Sequence, residues 1–365
     1  MTFMPKAIFF TPNSSSHPGE TLQDKLEELG IGPKEFAVRA DKPEKTITAI
    51  LNGESAITPD MAIQFERVLG ISANFWLQRQ ANHDESIARD KEALKLSDAI
   101  PWMKSFPVAE MIDLKWIPNV KSDLEKAAAL LEFFGIASFN AWGSYYLGQK
   151  LKVAFRISLA GTKQPEAISA WLRRGELLAN ELSAPDYDKN SFEKILPDLK
   201  KIMARHPKNF EKKIQAKALE AGVKVVYSTC LPKAPINGAT RWIGDNPVIQ
   251  LSGRFKRNDI FWFTFFHEAG HIIKHGKKDI FLEDVDYSEK DLQKEKEADE
   301  FAVKWTLSHE EFNEIIKHPE LTDDMIIDFA QRFGTHPAMI IGRLQHTEKI
   351  GFNEGTEFLV KISLN

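Results

Sequence analysis

The stretch FWFTFFHEAGHIIKHG, Phe261 to Gly276, decides how the C-terminal half of this chain reads. Inside it lies HEAGH: His267, Glu268 and His271. On an α-helix, residues i and i+4 share a face, about 6 Å apart along the axis. Two imidazoles placed so can converge on one cation, and a carboxylate beside the first can reach a water held there. Neutral imidazoles hold zinc without cancelling its charge. The metal lowers the pKa of its water to roughly 7, and the carboxylate can pass the proton to a leaving amine. H-E-x-x-H therefore reads as a zinc-peptidase motif with Glu268 as general base. The preceding Ile260, Phe261, Trp262, Phe263, Phe265 and Phe266 suit a helix that runs through a core. The competing reading is two hydrogen-bonded histidines on a core helix.

Such a site needs a third protein ligand. His275 lies eight residues beyond His267, roughly 12 Å along one helix, too far for both to bind one ion. Position 277, six residues after His271, is Lys. Downstream, KDLQKEKEADEFAVKWTL (Lys290 to Leu307) has Ala298, Phe301, Ala302 and Trp305 on one helical face. Glu295 and Glu297 flank that face on opposite sides, and periodicity does not choose between them. Most carboxylates in such a run form a solvated face.

HEAGH followed by EKEADEFA resembles the ImmA/IrrE family of zinc metallopeptidases. The resemblance extends through GATRWI (Gly238 to Ile243), PVIQLSGR (Pro247 to Arg254) and GRLQ (Gly342 to Gln345), most of the C-terminal half. It implies a Zn2+ site of His267, His271 and Glu297, the Glu directly before Ala in the family's E-A-[ND]-x-F-A. Where Asn is common, this chain has Asp299, a partner for a ligand histidine. The resemblance also implies a protein substrate, often a repressor. Arg241, Tyr287 and His336 are unranked candidates for stabilising the transition state.

The N-terminal text, His17 to Asn82, is a series of short helices. Leu22, Leu26 and Leu29 give the first, which stops at Gly30. Phe36 and Ala37 mark a second. The third starts near Pro43, suited to a first turn, and carries Ile47, Ile50 and Leu51. Thr58 caps a fourth and Ser72 a fifth. Five helices with a tight turn between the second and third describe a helix-turn-helix domain. PGE, LNG, Thr-Pro-Asp-x-Ala at 58 to 62 and Phe-Trp-Leu at 75 to 77 resemble the Xre-type domain of HigA antitoxins. The recognition helix would then present Lys45, Thr46, Thr48, Asn52 and Glu44. Thr and Asn can read base edges, while Lys42 and Lys45 can meet phosphate. Residues 17 to 82 hold seven Lys/Arg and ten Asp/Glu, a net of −3. That is a weak electrostatic footprint for DNA, and a module for dimerisation or partner contacts is the alternative.

At 365 residues the chain is expected to hold two or three domains. Its single Cys230 cannot form an internal disulfide, which fits a reducing cytoplasm. MTFMPKAIFF has no long apolar stretch or cleavage site, so no signal peptide is expected, and no apolar run suggests a membrane span. The net charge of −4 gives no global nucleic-acid signature.

The expected organisation is a flexible arm over 1–16 and the helix-turn-helix domain over 17–85. A helical connector and middle domain over 86–206 and a metallopeptidase domain over 207–365 follow. The fold class is mainly α with a small β-sheet (α+β). Strands are expected near 223–228, 240–243 and 248–251, and EFLVKISL reads as a last strand. Trp142, Tyr145, Tyr146, Phe155 and Trp171 suit an aromatic core, or a groove. Arg156, Arg173 and Arg174 suit a solvated face, or binding to phosphate or an acidic partner. The functional expectation is a cytoplasmic, homodimeric DNA-binding regulator that recognises an operator and cuts a regulatory protein. The alternative is a HigA-like antitoxin or autorepressor whose peptidase-like domain binds a cognate toxin or a signal without proteolysis.

Overall fold

A computed structural model describes residues 16–147, 164–232, 234, 236–276, 281–282, 289–318 and 320–364. The arm up to residue 15, Phe155, Arg156, Tyr287 and most of the acidic stretch 279–291 lie outside the described residues. The chain divides into two compact units, Met1–Ile100 and Pro101–Asn365.

Among its described residues the first unit is all helical: α1 (Pro18–Leu29), α2 (Pro33–Arg39), α3 (Glu44–Leu51), α4 (Pro59–Leu69) and α5 (Ala73–Asp98). The breaks follow local chemistry. His17 Nδ1 accepts from the Gly19 amide at 2.9 Å, and Gly30 closes α1 in the left-handed region. Thr58 and Ser72 accept from Met61 and Phe75 amides to start α4 and α5. Pro43 is the N-cap of α3 and not, as expected, in its first turn. Phe36, Phe65 and Trp76 form the aromatic centre, with ring centroids 5.0 and 5.8 Å apart. Gln80 Oε1 accepts from the buried Ile57 amide at 2.9 Å, tying the α3–α4 connection to α5.

The second unit opens with short helices at Ile100–Lys104 and Val108–Asp113, then α6 (Asp123–Phe134). Next come α7 (Pro165–Asn180), α8 (Lys189–Arg205), α9 (Phe210–Leu219) and the strands β1 (Lys224–Tyr227), β2 (Gly238–Ile243) and β3 (Asn246–Leu251). The helix α10 (Asn258–His275) carries HEAGH, β4 (Phe281–Leu282) follows, and α11 (Glu289–Thr306) carries EKEADEFA. Helices α12 (His309–Ile315), α13 (Asp323–Phe333) and α14 (Pro337–His346) end the unit. The sheet order is β1-β3-β2-β4, with β1 parallel to β3 and the other pairs antiparallel. The expected last strand is reduced to one bridge, Lys361 with Arg257.

One face of the sheet packs on α10 and the other on α7. Val225, Ile249 and Leu251 join Phe261, Phe265, Phe266 and Ala269 of α10 in one core, completed by Phe301 and Ala302 of α11. On the far face, Gln250 Nε2 donates to Trp171 O and Ser228 Oγ, each at 2.7 Å. Trp142, Tyr146 and Trp171 are buried there, so these aromatics build a core; Tyr145 is 43% exposed. Arg173 is structural: its Nε donates to Phe133 O at 2.9 Å, and Nη1 pairs with Glu176 at 2.7 Å. Among the described residues, no helix is long and apolar enough to cross a membrane.

Candidate metal centre

The start of α10 is fixed by its surroundings. Arg257 forks onto Asp259 at 3.0 and 2.7 Å and reaches Gln345 Oε1 at 2.9 Å. Gly342 allows this, because a Cβ there would meet Asp259 Oδ2 at 2.3 Å. The GRLQ segment of α14 thus locks the helix that bears HEAGH. Directly before His271, Gly270 faces Ala298 and Phe301, and a Cβ would lie only 3.1–3.2 Å from them. This close approach brings the carboxylates of α11 onto the histidines of α10.

His267 and His271 are 4% and 1% exposed. Their Nε2 atoms face each other at 2.9 Å. Glu295 joins them, with Oε2 3.2 Å from His267 Nε2 and Oε1 3.6 Å from His271 Nε2. One ligand atom from each residue lies within 4.8 Å of the other two. Glu297, the ligand implied by the family resemblance, stands elsewhere. Its Oε2 is 3.2 Å from His275 Nε2, and its side chain is 45% exposed. The reason is helical phase: two residues along an α-helix turn the side chain by about 200°. The face that packs on Gly270 carries Glu295, Ala298, Asp299 and Ala302 at helical spacing, and Glu297 falls on the flank.

Asp299 Oδ1 lies 2.9 Å from His267 Nδ1. Glu268 is buried beside the first histidine, 1% exposed, under Gly238 of β2. Thr240 donates to the Glu268 carbonyl at 3.0 Å. Arg241 alternates to the opposite face of β2, where it donates to Leu172 O, so it is remote from this group. His336 is an N-cap: its Nδ1 accepts from the Ala338 amide at 3.1 Å.

The donor set fits a zinc ion. Burial would lower the His267 pKa, but hydrogen bonds to Asp299 and Glu295 and the charge of Glu268 outweigh it and raise it to about 10. Burial, only partly offset by Glu295, lowers His271 to about 4. Burial would raise Glu295, yet the two imidazoles hold it down to about 2. His267 and Glu295 are thus held in their charged forms and His271 in its neutral form, and Glu295 Oε1 accepts no hydrogen bond there. Two imidazole nitrogens and one carboxylate are the protein ligand set found at catalytic zinc.

In the first unit, Lys45, Thr48 and Asn52 are exposed on and just after α3, while Lys42 and Thr46 are half-buried. Thr48 Oγ1 donates to Glu44 O at 3.0 Å. Ile47 and Ile50 face the core, so the opposite side of α3 is the solvent-facing one.

Comparison with known proteins follows the same division. The chain is 38% identical over 63 residues to the uncharacterized HTH-type transcriptional regulator YddM of Escherichia coli (strain K12), covering 17% of this chain and 67% of that protein. It is 32% identical over 98 residues to Virulence-associated protein A of Dichelobacter nodosus, covering 26% and 92%. A solved addiction module antidote protein of the HigA family from Coxiella burnetii aligns at 32% identity with a TM-score of 0.23, covering 24% of this chain and 95% of that one. Residues 22–76 match the HTH_3 helix-turn-helix family, and residues 218–345 match Peptidase_M78, the IrrE N-terminal-like domain. The chain belongs to the helix-turn-helix regulators through its first unit, and its second unit carries a segment similar to the Peptidase_M78 domain.

Proposed function

We propose that this protein is a DNA-binding transcriptional regulator whose second unit is a zinc-dependent peptidase that cuts a regulatory protein. The observation that carries the reading is the convergence of His267 Nε2, His271 Nε2 and the Glu295 carboxylate within 4.8 Å, with Glu268 buried next to them. In this reading His267, His271 and Glu295 hold Zn2+, and Asp299 orients His267. Bound there, zinc supplies Lewis acidity toward a peptide carbonyl and an acidified water. Glu268 takes the proton from the attacking water and returns it to the departing amine. Its depth beneath β2 keeps bulk water from competing for that proton.

The DNA arm of the proposal rests on the helix-turn-helix match and on the solvent-facing side of α3. Lys45 and Lys42 would contact phosphate, and Thr46, Thr48 and Asn52 would meet base edges of an operator. A homodimer would read two half-sites about one helical turn apart.

The test is Glu268→Gln in the full chain. The substitution keeps shape and ligands but removes the base. Under the proposal, zinc content and operator binding persist, while an uncut protein accumulates in comparative proteomics under the inducing condition. A proteome and a regulatory response identical to the parent, with zinc retained, would reject proteolysis in favour of a regulator or antitoxin that does not cut.

A further inference from the structure

His271 does not end the polar chain that starts at Glu295. Its Nδ1 lies 3.1 Å from His275 Nδ1, and His275 Nε2 lies 3.2 Å from Glu297 Oε2. We infer that His275 and Glu297 form a hydrogen-bonded relay that fixes the tautomer and ring orientation of His271, so that both are positioning residues for the metal site. The inference rests on the ligand set proposed above.

The direction of each bond follows from the chemistry of its ends. His271 Nε2 faces His267 and Glu295, where a ligand needs its lone pair. The proton of His271 therefore sits on Nδ1 and is donated to His275 Nδ1. A neutral His275 that accepts at Nδ1 carries its own proton on Nε2. That proton points at Glu297 Oε2, and an ionised carboxylate can only accept. Gln293 Nε2 donates to the other oxygen, Oε1, at 3.1 Å, which holds the carboxylate in place. The opposite polarity would put the His271 proton on Nε2, where it would block the metal.

The two ligand histidines are thus held by different means. Asp299 touches His267 directly. Glu297 is too far along the flank of α11 to touch His271, and His275, one turn further on α10, spans the gap. The His275 side chain is 5% exposed while Glu297 is 45% exposed, so the relay runs from the buried site to the surface. Groups that orient metal-bound histidines are worth about 10–100-fold in metal affinity.

Zinc affinity can be measured by competition with a chromophoric chelator, using the full chain as parent, H275A, E297A, the double variant and H267A. The visible spectrum of the Co2+-substituted forms is recorded alongside. Each single variant should bind zinc about 10-fold more weakly, and the double variant no more weakly than H275A alone. The Co2+ spectra of H275A and E297A should shift alike. Unchanged affinity in H275A, or losses that multiply in the double variant, would overturn the relay. Should H275A not fold, E297A decides, because its side chain is at the surface: unchanged affinity and spectrum would overturn the inference. A parent that binds zinc and loses it in H267A upholds the ligand set whatever the relay variants do. A parent that binds no zinc removes both.

Discussion

A Cβ on Gly238 would lie 2.6 Å from Glu268 Oε1 and 2.6 Å from Thr264 Cγ2. The first residue of β2 can therefore lie against the carboxylate only because it has no side chain. Gly238→Ala should push Glu268 or the strand aside and leave His267, His271 and Glu295 untouched. Zinc content should stay near that of the parent. Cleavage of the protein that accumulates with E268Q should fall about 10²-fold, the cost of misplacing a reacting group by roughly an ångström. A G238A variant that cleaves at the parent rate would remove Glu268 from the chemistry.

The two candidate carboxylates of α11 are separable by metal analysis. Glu295→Gln should leave little zinc in the purified protein, because the amide replaces a charged ligand. Glu297→Gln should retain about one zinc per chain at the single site and show its effect only in affinity. The reverse outcome would return the third ligand to Glu297.

His336 makes a pH prediction. Burial, helped by nearby His206, lowers its pKa from 6.5 to about 4, and its Nδ1 is occupied in capping α14. The folded state stays neutral while the unfolded chain takes up a proton below about 6.5. Stability from this group is therefore whole above pH 6.5 and is lost as pH falls toward 4. The slope is at most about 1.4 kcal/mol per pH unit, reduced by the ring's partial exposure. His336→Asn keeps a capping acceptor and cannot titrate there. Urea midpoints from pH 7 to 4.5 should fall less steeply in H336N than in the parent; equal slopes would discard this account.

For DNA, Lys45→Ala should weaken binding to every sequence and reduce the salt dependence by about one counterion. Thr48→Ala should change sequence preference more than affinity, although its hydroxyl also donates to Glu44 O. Fluorescence anisotropy on operator and scrambled duplexes at several salt concentrations separates the two. Uniform binding by the parent to all duplexes would leave the first unit as a module for dimerisation or partner contacts.

Much of the molecule was legible locally. HEAGH on a helix, the caps at Thr58 and Ser72, the stop at Gly30 and the three main strands depend on residues within a few positions of one another. Glu268 and the two histidines come from the same helical turn. Asp299 carries a further local signal. If it reaches a ligand histidine, the carboxylate one turn earlier on its own face is Glu295, not Glu297.

What the sequence alone determined is which residues share a helix face and where each helix begins and ends, because those follow from a fixed rise and twist. It did not determine which face of α11 meets α10. That was decided by tertiary packing, through the bare backbone of Gly270 against Ala298 and Phe301. A rotation of α11 by half a turn would have exchanged the two glutamates while leaving every local signal unchanged. The same packing brought Glu297 to His275, which the helix's own spacing already set beside His271.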